Sequence, residues 1–304
     1  MGAHLATGGL HRTRDTPDAC EDFIMCPRVC STVLAAVCLI ATPAAGREDA
    51  RSVLAKARQY VASYDRQLVA LIADERYVQT GRVAEGTATE TRVLESEFGW
   101  VAIPAVDDTI GVREVRRVDG RPVAGARRLR ELLQRPQEHP SGEVRAILAE
   151  SATHNLGDVR RNINFPTFAL AYLRSPREHD TRWRVVRSGD HVDLHFEERD
   201  RSTLVRTPEG LRSPARGRFS VDPGTGRITA LELRVRVRDG RSSRPMFYWM
   251  LVDFACDARL DVWVPVRMLE RHYRNRDRAA HSGESGEATY GNYRRFEGTG
   301  RLLQ

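Results

Sequence analysis

Arg227-Ile228-Thr229-Ala230-Leu231-Glu232-Leu233-Arg234-Val235-Arg236-Val237-Arg238 alternates residue by residue. Leu231, Leu233, Val235 and Val237 point one way and Glu232, Arg234, Arg236 and Arg238 the other, the period of two of a strand with one buried face. Upstream, Asp222-Pro223-Gly224-Thr225-Gly226 combines a proline that presets φ with glycines that admit positive φ, so the segment from Ala215 turns back as a hairpin. Downstream, Met246 to Phe254 breaks the alternation. Met246, Tyr248, Met250, Val252 and Phe254 share one face, while Phe247, Trp249 and Leu251 share the other with Asp253, so both faces need apolar cover. Trp263-Val264-Pro265-Val266 leads towards Tyr273, its proline marking a bulge or an edge. The polar stretch Asn275 to Gly286 follows, and Ala288 to Phe296 returns as the last strand of an antiparallel meander.

Before the meander, Leu54, Ala57, Val61, Tyr64, Leu68 and Leu71 recur at steps of three and four, which predicts an amphipathic helix lying on the sheet. Arg76 to Thr80, Thr87 to Glu97 and Val112 to Val118 read as strands. Asp119-Gly120 supplies the residue types of a tight hairpin. Helices are expected at Ala126 to Leu133, Glu143 to Asn155 and Thr167 to Leu173, the last after Pro166. Strands resume at Trp183 to Arg187, His191 to Glu198 and Thr203 to Arg206. With no internal repeat and no long linker, the expected class is α+β. It is one large curved antiparallel sheet, a half-barrel, with an N-terminal amphipathic helix and inserted helices on its concave face. Residues 47–304 form a single domain, with a helical insertion at about 124–174.

Residues 1–46 read as a non-mature leader. Met25 opens a secretory signal over 25–46, with Arg28, the apolar run Val29 to Ile40, and Ala44-Ala45-Gly46 as the cleavage site. The run is too short to span a bilayer, so no transmembrane span is expected and the mature chain is periplasmic or secreted. Cys20, Cys26, Cys30 and Cys38 leave with the leader, so Cys256 remains alone and burial must supply the stability. Residues 1–46 carry three arginines and four acids. The remainder holds 45 basic against 37 acidic residues, a net charge of +8. The arginines are dispersed among acids and Lys56 is the sole lysine, a pattern that argues against a nucleic-acid partner.

His191, Asp193, His195 and Glu197 alternate onto one face of a strand, and His191, Asp193 and His195 are the candidate metal ligands of a hydrolase. An ordinary half-exposed strand gives the same pattern. Ligands two apart on a strand stand about 7 Å apart, a wide span for one ion. Asp107-Asp108 could pair for acid–base work, and His154 with Asp158 near Arg160-Arg161 could hold an anion. Hydrolase, nucleotide and dinucleotide signatures are missing. No catalytic residue and no cofactor are therefore assigned. The ligand-binding candidates are Met246, Tyr248, Met250, Val252 and Phe254, a face whose methionines adapt to irregular partners, although ordinary core packing explains it too.

Val118-Asp119-Gly120-Arg121-Pro122-Val123, Val159-Arg160-Arg161-Asn162, Asp222-Pro223 with Thr225-Gly226-Arg227, Trp263-Val264-Pro265-Val266 and Ala288-Thr289-Tyr290-Gly291-Asn292-Tyr293-Arg294-Arg295-Phe296 resemble phrases of a family of secreted bacterial proteins, and name no chemistry. The order of elements resembles the LolA and LolB lipoprotein-carrier superfamily and the related RseB-type stress sensors. That resemblance implies a half-open barrel that wraps helices around an apolar cavity for acyl chains. The expected function is a non-enzymatic binding protein for a lipid or acylated ligand. The alternatives are an envelope sensor that docks a protein partner through the Arg160-Arg161 or Asn275 to Gly286 segment, and the metal-dependent hydrolase.

Overall fold

Among the described residues, two meanders organise the computed structural model: a four-strand N-terminal one and a seven-strand C-terminal one, joined where the first strand of the former pairs with the last of the latter. The described residues are 50–69, 71–82, 89–103, 108–125, 128–134, 141–157, 163–174, 181–199, 203–207, 209–237, 245–273, 283–296 and 302–303. They belong to the unit Ala44–Gln304. The leader, Asp107, Asp158, Arg160-Arg161 and most of Asn275 to Gly286 lie outside them.

Helix α1 spans Ala50–Leu68. The strands are β1 Leu71–Arg82, β2 Thr89–Ile103, β3 Asp108–Val118, β4 Arg121–Pro122, β5 Thr181–Ser188, β6 His191–Glu198, β7 Ala215–Val221, β8 Ile228–Val237, β9 Met246–Asp257, β10 Val262–Tyr273, β11 Glu284–Phe296 and β12 Leu302–Leu303. Among the described residues they form one open antiparallel sheet in the order β4-β3-β2-β1-β11-β10-β9-β8-β7-β6-β5, with β12 beside β11. The stretch between β4 and β5 must therefore travel from one edge of the sheet to the other. It contains α2 Arg128–Gln134, α3 Ser141–Thr153 and a 3-10 helix, Phe168–Tyr172.

The expected α+β class and large antiparallel sheet are present, but the helices divide between its faces. On β2, Leu94, Phe98 and Trp100 join the main core under α1 and the 163–174 segment. Val101 points the other way and, with Ile72 and Val112, packs against Leu129, Leu132, Val144 and Ile147 of α2 and α3. Placing every inserted helix on the concave face is thus corrected. Two helices seat on the opposite face because its positions on β1 to β3 are apolar. There Gly99 leaves room for Leu129 and Leu133, whose methyl carbons would lie 3.5 and 3.4 Å from an added Cβ.

Leu71, the last member of the helical stripe, starts β1 yet remains fully buried. Asp119 and Gly120 both take positive φ, 49° and 77°, the turn that joins paired Val118 and Arg121. Pro265 lies at a register shift in β10 against β9, just before the pairing with β11 begins at Arg267, so the proline marks a bulge where one side of the strand is locally unpaired. Thr167 to Leu173 forms a 3-10 turn in place of an α-helix. Thr203 to Arg206 makes only an isolated bridge, Arg206 to Arg212. There the buried Glu198 carboxylate accepts the Leu204 and Ala215 backbone N–H groups, drawing both sides of the loop onto one anion.

Candidate functional site

The face of β9 that carries Met246, Tyr248, Met250, Val252 and Phe254 looks into the main core. Met250 and Val252 are fully buried, Tyr248 and Phe254 nearly so, and Met246 is partly exposed. Helix α1 lies over this side of the sheet, burying Val53, Ala57, Val61, Tyr64 and Leu68. Tyr64 meets Phe254 edge-on at 6.4 Å. The 163–174 segment completes the cover, with Trp100 Nε1 donating to Thr167 Oγ1 at 3.0 Å. On the opposite face of β9 the apolar side chains find cover across the strands. Phe247 stacks on Tyr273, and Trp249 Nε1 donates to Glu232 at 2.9 Å.

Along the same inner surface the chemistry changes from apolar to polar. In register, Val252 opposes Met268, Met250 opposes Glu270 and Tyr248 opposes His272. Glu270 and His272 are buried. Both Tyr77 and Tyr248 donate their hydroxyls to Glu270, the latter at 3.2 Å, and the His272 ring lies 4.8 Å from that of Tyr248. Beside them Arg113 makes a two-pronged contact to Glu75, its Nη2 at 2.6 Å, and its guanidinium sits 4.7 Å above the Tyr77 ring. Burial alone would lower the Arg113 pKa, but the Glu75 charge and hydrogen bonds outweigh it and hold the group firmly cationic.

The sequence reading missed this polar end. The signal was present in β10: beyond the bulge, Met268, Glu270 and His272 alternate inward, opposite Val252, Met250 and Tyr248. Arg113 carried no such mark, since an arginine between Val112 and Glu114 looks like an exposed strand position.

Two clefts open on the outer face. One, of about 600 Å³, is lined by residues that include Asp74, Arg76, Glu97, Arg116, Arg130 and Gly291. Its charges are matched: Arg116 and Arg130 both bond Glu97, and Arg294 and Asn292 bond Asp74. Thr289, Tyr290 and Gly291 of β11 also line it. Asn292 takes φ 50° where β11 bulges against β1, and Gly291 leaves the space above it open.

The second cleft, of about 690 Å³, runs across β5 to β8. It contains His195 but joins it to arginines and not to a metal triad. His191 is exposed, and the nearly buried Asp193 carboxylate accepts Ser220 Oγ at 2.7 Å and Arg218 Nη1 at 3.1 Å. Burial, then the neighbouring Arg184 charge, lowers the His195 pKa. Among the described residues no three His, Cys, Asp or Glu side chains gather closely enough to hold a metal. Cys256 sits within β9, and the Asp107-Asp108 pair falls outside the described side chains.

No family model matches this sequence. No curated protein matches it either. Among solved structures it is similar to a LolA superfamily protein from Nitrosomonas europaea, at 13% identity over 82% of this chain and 94% of that one, TM-score 0.33. It is also similar to a DUF1329 family protein from Desulfovibrio piger, at 11% identity over 81% of this chain and 94% of that one, TM-score 0.38. The likeness stays at the level of architecture. Among the described residues no helix is long and apolar enough to cross a membrane.

Proposed function

We propose that this chain is a non-enzymatic binding protein, exported by its leader to the periplasm or medium, which holds a lipid or acylated ligand between the inner sheet face and its cover. The observation that carries this reading is the gradient along β9 and β10. Phe254, Val252 and Met250 form an apolar track, and it ends at the buried Tyr248, Glu270 and His272. An amphiphile has the same two parts, a tail for the track and a head for the polar end. The cover is suited to displacement. Arg174 donates two hydrogen bonds to Asp65, both 2.7 Å, so α1 and the 163–174 segment are tied to one another. They hold the sheet through apolar contact together with hydrogen bonds, among them Trp100 to Thr167 and Arg113 to the Asn164 carbonyl. Each ligand methylene that replaces such contact recovers about 0.8 kcal/mol.

Native mass spectrometry of the protein expressed in a bacterial periplasm tests the reading. An adduct that disappears on organic extraction supports it, as does uptake of a fluorescent fatty acid that Met250→Trp abolishes. A clean apo mass under every loading condition, with no fatty-acid uptake, overturns it.

A further inference from the structure

Strand pairing turns arginines that are scattered in the sequence into one patch. Across the outer face of β5 to β8 the register sets Arg182, Glu197, Arg216 and Arg234 side by side in one row. It sets Arg184, His195, Arg218 and Glu232 in the next. Rows two residues apart lie about 7 Å from one another, and adjacent strands about 4.8 Å. These residues line the 690 Å³ cleft.

Charge matching explains part of the patch and leaves part over. Glu232 takes Arg218 at 3.0 Å and Arg234 at 2.5 Å, and Asp193 takes Arg218 at 3.1 Å. Arg182, Arg184 and Arg216 are exposed and make no ion pair among the described residues. Arg216 stands directly opposite Arg234, a like-charge cross-strand pair that destabilises a sheet. Counting Asp193, Glu197 and Glu232 against the five arginines leaves two positive charges uncompensated.

We propose that this cleft is a binding site for a phosphoryl group, held by Arg184, Arg216 and Arg182 above a β-sheet floor, with Arg218 fixed in place by Asp193 and Glu232. A phosphoryl anion matches the sign of the surplus charge, and guanidinium forks match its oxygens. The site is on the face opposite the apolar track, so it goes beyond the carrier reading, and either can fail without the other. The phosphoryl group comes from one of two sources: a small soluble phosphate or a phospholipid headgroup.

The test compares the full mature chain with an Arg184→Ser/Arg216→Ser variant. Both positions are exposed and Arg216→Ser removes a repulsion, so the variant is expected to fold with an unchanged or higher Tm. Inorganic phosphate and pyrophosphate are titrated calorimetrically at constant ionic strength. Vesicles of phosphatidylcholine with and without phosphatidylglycerol are titrated in parallel. Soluble-phosphate binding that the variant weakens by about tenfold or more assigns the first source. Binding only to the phosphatidylglycerol vesicles, lost in the variant, assigns the second. Binding to none of these probes, or equal binding by the variant, overturns the site.

Discussion

Arg174 grips Asp65 through two hydrogen bonds of 2.7 Å, Nε to one carboxylate oxygen and Nη2 to the other, across 109 residues of sequence. Both side chains are mostly buried, at 18% and 17% exposure. The pair joins the helix that opens the described chain to the segment that crosses the sheet. Arg174→Ala is expected to cost about 1–3 kcal/mol, because it leaves a mostly desolvated carboxylate without its partner. In hydrogen exchange, 50–68 and 163–174 should lose protection together. Loss confined to one of the two would show that they are not a common layer.

Glu75 and Arg113 form an ion pair in the core, with side-chain exposures of 0% and 6%. Removing one charge strands the other, so Glu75→Gln should destabilise by about 3–5 kcal/mol in denaturant melts. The double replacement Glu75→Leu/Arg113→Met should recover most of that loss. If Glu75→Gln proves neutral, the pair is not desolvated as described.

Two glycines of β11 should respond in opposite directions. A Cβ at Gly286 would meet the Tyr77 ring at 2.5 Å, so Gly286→Ala should destabilise and disturb the Tyr77 to Glu270 contact. A Cβ at Gly291 meets nothing within 4 Å, and Gly291→Thr should stabilise by roughly 0.5–1 kcal/mol through reduced backbone freedom. Chemical denaturation of the two variants reads both signs.

Burial raises the pKa of Glu232, but hydrogen bonds from Trp249, Arg218 and Arg234 outweigh it and hold the carboxyl below its usual 4.5. A depressed folded value means the stabilisation is complete above that pH and is lost as the pH falls through the lower value. Glu232→Gln should therefore be less stable than the parent near neutrality. Its stability should fall less steeply below about pH 4.5. Parallel pH–stability curves would remove Glu232 as a contributor to the acid response.

The strand register shows why some of this was legible and some was not. Leu231 to Val237 and the Asp119-Gly120 turn could be read directly, because a period of two and a positive-φ turn are local properties of the chain. The stripe from Leu54 to Leu68 was legible for the same reason. The polar end was half legible: Glu270 and His272 keep the inward alternation of β10, while Arg113 and Glu75 are recognisable only as partners, 38 residues apart. The arginine patch was invisible, since Arg182, Arg216 and Arg234 become neighbours only when β5 to β8 pair.

By itself the sequence determined the class, most of the strands and the buried face of β8, because side-chain alternation and turn chemistry act over a few residues. The tertiary structure alone decided that the first meander closes against the last strand, that the inserted helices part onto both faces, and which charges share a cleft. Those outcomes depend on contacts between segments a hundred or more residues apart, such as Leu71 with Arg295. No local pattern encodes which distant surfaces will bury one another.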